Sequence, residues 1–314
     1  MRKNISISGL VFFLFLCGYS GAETWRFAGG PAGGTFQYFA EGISSLAVKS
    51  GMEIKPDSSE GSTVNIRLAD SGKADFGISY SGDIFKATQG MLSKDTKKYS
   101  DVLVMGYLFS AAAQLIVKAD SDIGSAKELG GKSVGVGNFG SAALASCELF
   151  FSEIGLWHSI RKRFDGYNQA EQSFSKGELD AFWIFTGFPN ESAETAAAHN
   201  RIALIPLLKD AREADMFKKY PYLSETVIPA NTYKGVAADT PTFQDSALWI
   251  VNSRVSAENV YKLLSMVYSE EGLKFMAQIH PSAKEMSIGN GLKGVVTPLH
   301  PGARKFWKEK GILK

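Results

Sequence analysis

Two loops in this sequence have residue types that could do chemistry. Gly29-Gly30-Pro31-Ala32-Gly33-Gly34 and Gly137-Asn138-Phe139-Gly140 each follow a short apolar run and precede a helical pattern, with Thr35 and Ser141 immediately after them. Small residues at such a junction bare backbone N–H groups at the start of a helix, where unpaired donors and the helix dipole favour an anion. Either loop alone reads as an ordinary strand-to-helix turn. Two of them in one chain can close on a small carboxylate from both sides. Gly135-x-Gly137-x-x-Gly140 also has the form of a dinucleotide fingerprint. No acidic residue ends a second strand to hold a ribose, however, and the first loop lacks the pattern, so a nucleotide cofactor is not expected.

Other chemistry is thin. His158, His199, His280 and His300 show no paired-ligand spacing, which leaves a metal without support. No G-x-S-x-G elbow occurs. Leu144, Cys147, Phe151 and Ile154 share one helical face, so Cys147 reads as a small buried hydrophobe rather than a nucleophile. No catalytic residue, metal or cofactor is expected. Lys94, Lys97 and Lys98 read as a solvated face. Tyr80, Trp183, Phe185 and Phe188 fall at strand ends beside the loops, where core packing and a cleft wall are both open readings.

The elements that must position these residues repeat. Trp25–Ala28 reads as a strand, and Thr35 can cap a helix whose stripe is Phe36, Phe39, Ala40, Ile43, Leu46 and Ala47, with Gly51 just beyond it. Ser62 can cap a second helix that stops at Gly72, and Asp75 leads into the strand Phe76–Ser79. The order returns later. Ser133–Val136 is a strand, Ser141 caps the helix carrying Cys147, a helix around Ala170–Ser175 stops at Gly177, and Asp180 leads into Ala181–Phe185. Alternating strands and helices predict α/β lobes with mostly parallel sheets. The apolar stretch Val102–Ala119 can cross from one lobe to the other, and Pro229–Tyr233 reads as a return crossing. Ala247–Val251 is then a strand, and Val260, Leu263, Leu264 and Val267 form a helix stripe. Lobe I is expected over 23–113 plus 234–314, and lobe II over 114–233.

Arg2 and Lys3, the apolar run Leu10–Cys17 and the small residues Gly18, Ser20, Gly21 and Ala22 make a secretory signal peptide over 1–22, cleaved after Ala22. A lipid anchor at Cys17 is the rival reading, disfavoured by the bulky Leu16 before it. Of the 314 residues, those after the leader hold 32 basic and 32 acidic side chains, a formal charge of zero. Nucleic acid is therefore a poor partner, since its affinity comes from cations neutralising phosphates. Export leaves Cys147 alone, so the fold stands on its core without an internal disulfide. Length and composition suit an ordinary globular protein, with a weak preference for a monomer.

Gly29-Gly30-Pro31-Ala32-Gly33-Gly34-Thr35 resembles the opening of the TAXI solute receptors, the extracytoplasmic binding components of one branch of TRAP transporters. The likeness continues through Ala74–Asp83, Val136–Ser141, Gly177–Phe182, Gly187–Asn190, Ile228–Tyr233 and His300–Ala303, in order along nearly the whole chain after the leader. The resemblance implies a two-lobed α/β clamshell of the type II periplasmic-binding-protein kind, hinged between the lobes. It implies no catalysis, a periplasmic location, and delivery of a small organic acid or amino acid, such as glutamate or a dicarboxylate, to a TRAP membrane permease. Carried over by position, ligand contacts would come from Gly34, Thr35, Tyr80, Ser81, Asn138, Gly140, Ser141, Ala142, Pro189 and Asn190. Phe36 stands where the family has a tyrosine, Tyr80 replaces a frequent glutamine, Asn231 replaces a common glycine, and Gly82 adds a residue. The competing use of such a clamshell is an exported receptor serving a sensor kinase or another transporter type.

Overall fold

A computed structural model describes residues 24–30, 34–92, 96–139 and 141–313. The expected leader with its cleavage point, Cys17, residues 31–33, Lys94 and Gly140 lie outside the described residues. The first unit runs β1 (Thr24–Ala28), α1 (Thr35–Val48), β2 (Glu53–Asp57), α2 (Ser62–Asp70), β3 (Phe76–Tyr80) and α3 (Ser81–Gln89), and the 17-residue strand β4 (Val102–Lys118) leaves it. The second unit runs β5 (Ser133–Gly135), α4 (Ala142–Glu153), β6 (Arg161–Arg163), α5 (Tyr167–Ser175), β7 (Ala181–Thr186) and α6 (Glu191–His199). β8 (Ile202–Leu204), α7 (Leu208–Glu213), α8 (Met216–Lys219) and β9 (Ser224–Ile228) lead into β10 (Thr240–Asn252). The chain closes with α9 (Ala257–Val267), α10 (Glu270–Ile279) and α11 (Pro301–Glu309).

One sheet path holds these strands in the order β2-β1-β3-β10-β4-β7-β5-β6, with β8 added to β4 and β9 to β10. The outer trios are parallel, β2-β1-β3 in one half and β7-β5-β6 in the other, while β10 and β4 between them pair antiparallel with their neighbours. β3 therefore runs opposite to β7. Their registers place both carboxyl ends near the middle of the two long strands. Tyr80 pairs with Ala247, which pairs with Phe109, and Thr186 pairs with Ala112, which pairs with Gln244. From position 109 to position 112 is about 10 Å of strand. The carboxyl edges of the two parallel trios thus face each other across a gap of that size.

The buried clusters change over at the same place. On β4, Met105 and Phe109 pack with Phe27, Phe39 and Trp249, whereas Ala111, Ala113 and Leu115 pack with Cys147, Phe150 and Trp183. On β10 the changeover lies between Phe243 and Ala247. Cys147 is fully buried and unpaired, as the stripe predicts.

Three local expectations need correction. Gly34, not Thr35, is the N-cap of α1, and no side chain caps that helix. Gly61 is the N-cap of α2, at φ 109, a conformation that glycine adopts without strain. Ser62 is already helical there, and its hydroxyl donates to Asp83 instead. Pro229–Tyr233 is a turn, closed by the Thr232 N–H on the Pro229 carbonyl, with Tyr233 packed among Ile184, Ala193 and Ile228. β10 makes the return passage. Ser141 does cap α4, its hydroxyl accepting from the Leu144 N–H at 3.1 Å.

Candidate functional site

Ligands in open parallel sheets lie outside the carboxyl ends of the strands, where the strand order reverses. Here the reversal falls at β1 in one half and β5 in the other, so α1 and α4 begin at the two switch points. Among the described residues both beginnings are open. Gly34 offers α1 no side chain, and among the described residues the Thr35 and Phe36 N–H groups and the Thr35 hydroxyl have no hydrogen-bond partner. In α4 the Ser141 hydroxyl takes the Leu144 N–H, and the N–H groups of Ala142 and Ala143 have no hydrogen-bond partner among the described residues.

Of the other four helix starts at this edge, α2 and α5 follow the edge strands β2 and β6 and begin at the uncapped Gly61 and Gly166, away from the switch points, whereas α3 and α6 are filled from within. Asp245 on β10 accepts the Gly82 N–H at 3.1 Å, so its carboxyl sits where an anion would meet α3. Asn190 caps α6 by accepting from the Ser192 and Ala193 N–H groups at 3.0 and 3.3 Å. Its own N–H donates to the Tyr233 hydroxyl at 3.0 Å, which fastens the loop to the second half. An anion entering from solvent therefore meets open donors at α1 and α4 and occupied ones at α3 and α6.

Between the open ends stands an aromatic wall. Tyr80 is half-buried, its ring 5.1 Å from Phe36 of α1 and 6.3 Å from Phe185 of β7, and it packs on the buried clusters of both halves. Burial, with Tyr167 and two carboxyls nearby, pushes its phenol well above the usual range, so Tyr80 stays a neutral donor. Its hydroxyl has no partner among the described residues. Tyr167 is fixed beside it, donating to the Phe185 carbonyl and accepting from the Phe185 N–H.

Of the expected contact residues, Gly34, Thr35, Tyr80, Ser141 and Ala142 gather at this edge half-buried. Asn138 and Pro189 are exposed. Ser81 is fully buried, and its hydroxyl donates to the Gly294 carbonyl at 2.5 Å, which commits that side chain to the fold. Trp183, one of the four aromatics left open, is a core residue donating to Ser146. His280 and His300 cap the turn Pro281–Glu285 and α11. Sequence reasoning missed Asp83 and Asp245. The second had a signal, because Gln244-Asp245-Ser246 interrupts an otherwise apolar run on a strand buried on both faces.

No helix among the described residues is long and apolar enough to cross a membrane. A family model described as the NMT1-like family matches residues 27–311. Among solved structures, a TctC solute-binding protein from Polaromonas aligns at 14% identity with TM-score 0.53, covering 85% of this chain and 88% of that one. The periplasmic aliphatic sulphonate binding protein SsuA from Escherichia coli aligns at 14% identity with TM-score 0.48, covering 82% and 78%. The fold is the two-lobed α/β clamshell of type II periplasmic binding proteins.

Proposed function

This chain belongs to the NMT1-like family, and on that premise we propose that it is an extracytoplasmic solute-binding receptor of a TRAP transporter. It captures a small carboxylate, an amino acid such as glutamate or a dicarboxylate, between its lobes and hands it to the membrane permease. The Polaromonas protein of like fold, itself a solute-binding protein, supports the receptor role. Residues 23–113 with 234–314 make lobe I and residues 114–233 make lobe II, a division supported to within several residues by the changeover of the buried clusters. The observation that carries the proposal is that the helix starts at the two switch points, α1 in one lobe and α4 in the other, are open and lie at facing carboxyl edges.

Within that cleft Gly34 and Thr35 present the start of α1, and Asn138, Ser141 and Ala142 present the start of α4. Tyr80 lies between them, held by Ser81 behind it, while Pro189 and Asn190 form the rim. Backbone donors and the two helix dipoles neutralise a carboxylate without a side-chain cation. Two open starts suit a solute with two acidic groups.

A thermal-shift screen of residues 23–314 against amino acids, monocarboxylates and dicarboxylates tests this. A solute that binds only the folded state adds about 2.7 kcal/mol at one hundred times its dissociation constant. One acid is expected to raise the melting temperature in the wild type and to lose its effect in Tyr80→Ala. If no acid shifts the melt after unfolding and refolding to strip carried-over solute, carboxylate capture is wrong.

A further inference from the structure

Where the lobes change over, the chain has placed an acid in an unusual setting. Asp245 lies midway along β10, within a stretch whose pairing with β4 shifts register just beyond it, between Ala247 and Leu248. Its carboxyl is buried, and among the described residues only backbone donors reach it, Ser246 N–H at 2.7 Å and Gly82 N–H at 3.1 Å. Gly82 belongs to α3, whose Ile84 and Ala87 are buried with Val104 and Leu248, while its Phe85 packs on the second core together with Tyr222, before β9. These pieces fit without slack. A Cβ on Gly82 would lie 2.7 Å from the Tyr222 ring and 2.8 Å from an Asp245 carboxyl oxygen. Phe85 of α3 packs on Tyr222 at 5.8 Å between ring centres.

We propose that Asp245 is a proton-dependent latch: with its carboxyl protonated α3 stays seated on β10 and Tyr222 and the lobes stay together, and loss of the proton releases them. The groups around it set the direction. Asp83, on α3, raises the Asp245 carboxyl through its negative charge, while the Gly82 and Ser246 N–H groups that the carboxyl accepts from, and then Lys86 on α3, oppose the rise without cancelling it. Asp83 is itself held above the usual carboxylate range by burial, against the Ser62 hydroxyl, Lys86 and Arg67. Tyr80 and Tyr222, which face it from β3 and from the second core, are phenols pushed far up and carry no charge below pH 9. Burial first and Asp83 second push Asp245 up to about 8.

The sign follows. The closed form, whose Asp245 binds its proton until about pH 8, holds that proton more tightly than an open form with a hydrated carboxyl near the ordinary 3.8. Closure is therefore favoured at low pH and weakens as pH rises, by up to about tenfold per unit, levelling off above about 8.

The test needs no solute, so its outcome is independent of carboxylate capture. Spin labels at Ser45→Cys on α1 and Gln172→Cys on α5, both exposed helix positions on opposite lobes, report the inter-lobe distance by pulsed EPR. The native Cys147 is buried and silent. The short-distance population is expected to dominate at pH 6 and to fall by tenfold or more relative to the long one by pH 8.5. Asp245→Asn keeps the shape without the charge and should hold the short distance at both pH values. Asp83→Asn, which removes the repelling neighbour, should move the midpoint to lower pH, a shift that a merely structural role would not produce. Identical distributions at pH 6 and 8.5 in the wild type would overturn the latch, and so would a pH response that survives Asp245→Asn.

Discussion

Replacing Trp307 with alanine is expected to lower the unfolding free energy by about 3–5 kcal/mol, the range for truncating a large buried aromatic. That is a large share of the roughly 5–15 kcal/mol by which domains are stable. The ring is fully buried, and its indole N–H donates to the Met105 carbonyl on β4 at 2.7 Å. Tyr268 and Phe306 meet it edge-on, each at 4.8 Å. Gly106 and Gly291 lie so close that a Cβ on either would collide with the ring. Truncation leaves a cavity and strands the Met105 carbonyl in it. The damage falls where α11 and the segment carrying Gly291 hold β4, one of the two strands that join the lobes. Equilibrium denaturation measures the effect, and a loss below about 1 kcal/mol would mean that this corner of the core is not packed as described.

Gly82→Val is expected to cost about 1–3 kcal/mol and to push the lobes apart at every pH, because overpacking a tight contact forces its neighbours to move. Unlike most tight glycines, Gly82 sits where two lobes and a buried acid converge, and the nearest atoms are the Tyr222 ring and the Asp245 carboxyl. Neither can yield easily. Tyr222 is wedged between Phe85 and Tyr220, and Asp245 is on a central strand. The labelled protein should show the long inter-lobe distance even at pH 6, while each core keeps its secondary structure by circular dichroism. An unchanged short distance would show that this contact does not govern closure.

Much of the architecture was readable because the buried elements advertise themselves. The α1 stripe, the Cys147 face and the stripe of α9 all fell where helical spacing put them. β4 was visible as a long apolar run. β2 and β6 were not, and the reason is physical. Both are edge strands, and edges are protected by charge and proline rather than by alternating apolar residues. β2 is Glu-Ile-Lys-Pro-Asp and β6 is Arg-Lys-Arg. The glycine loops were legible, but which helix starts stay open was not. That depends on Asp245 reaching α3 and on Asn190 turning back on α6, contacts that only the assembled sheet brings about. Ser81 shows the same limit, since its partner Gly294 lies 213 residues away.

The central claim is that a small acid is held between the lobes by the open starts of α1 and α4. A crystal structure of residues 23–314 with the acid that most raises the melting temperature tests it directly. The account predicts a carboxylate about 3 Å from the backbone nitrogens at the start of α1 or α4, with Tyr80 against the body of the solute. Density on an outer face, or between the lobes with its carboxylate turned away from both helix starts, would contradict it.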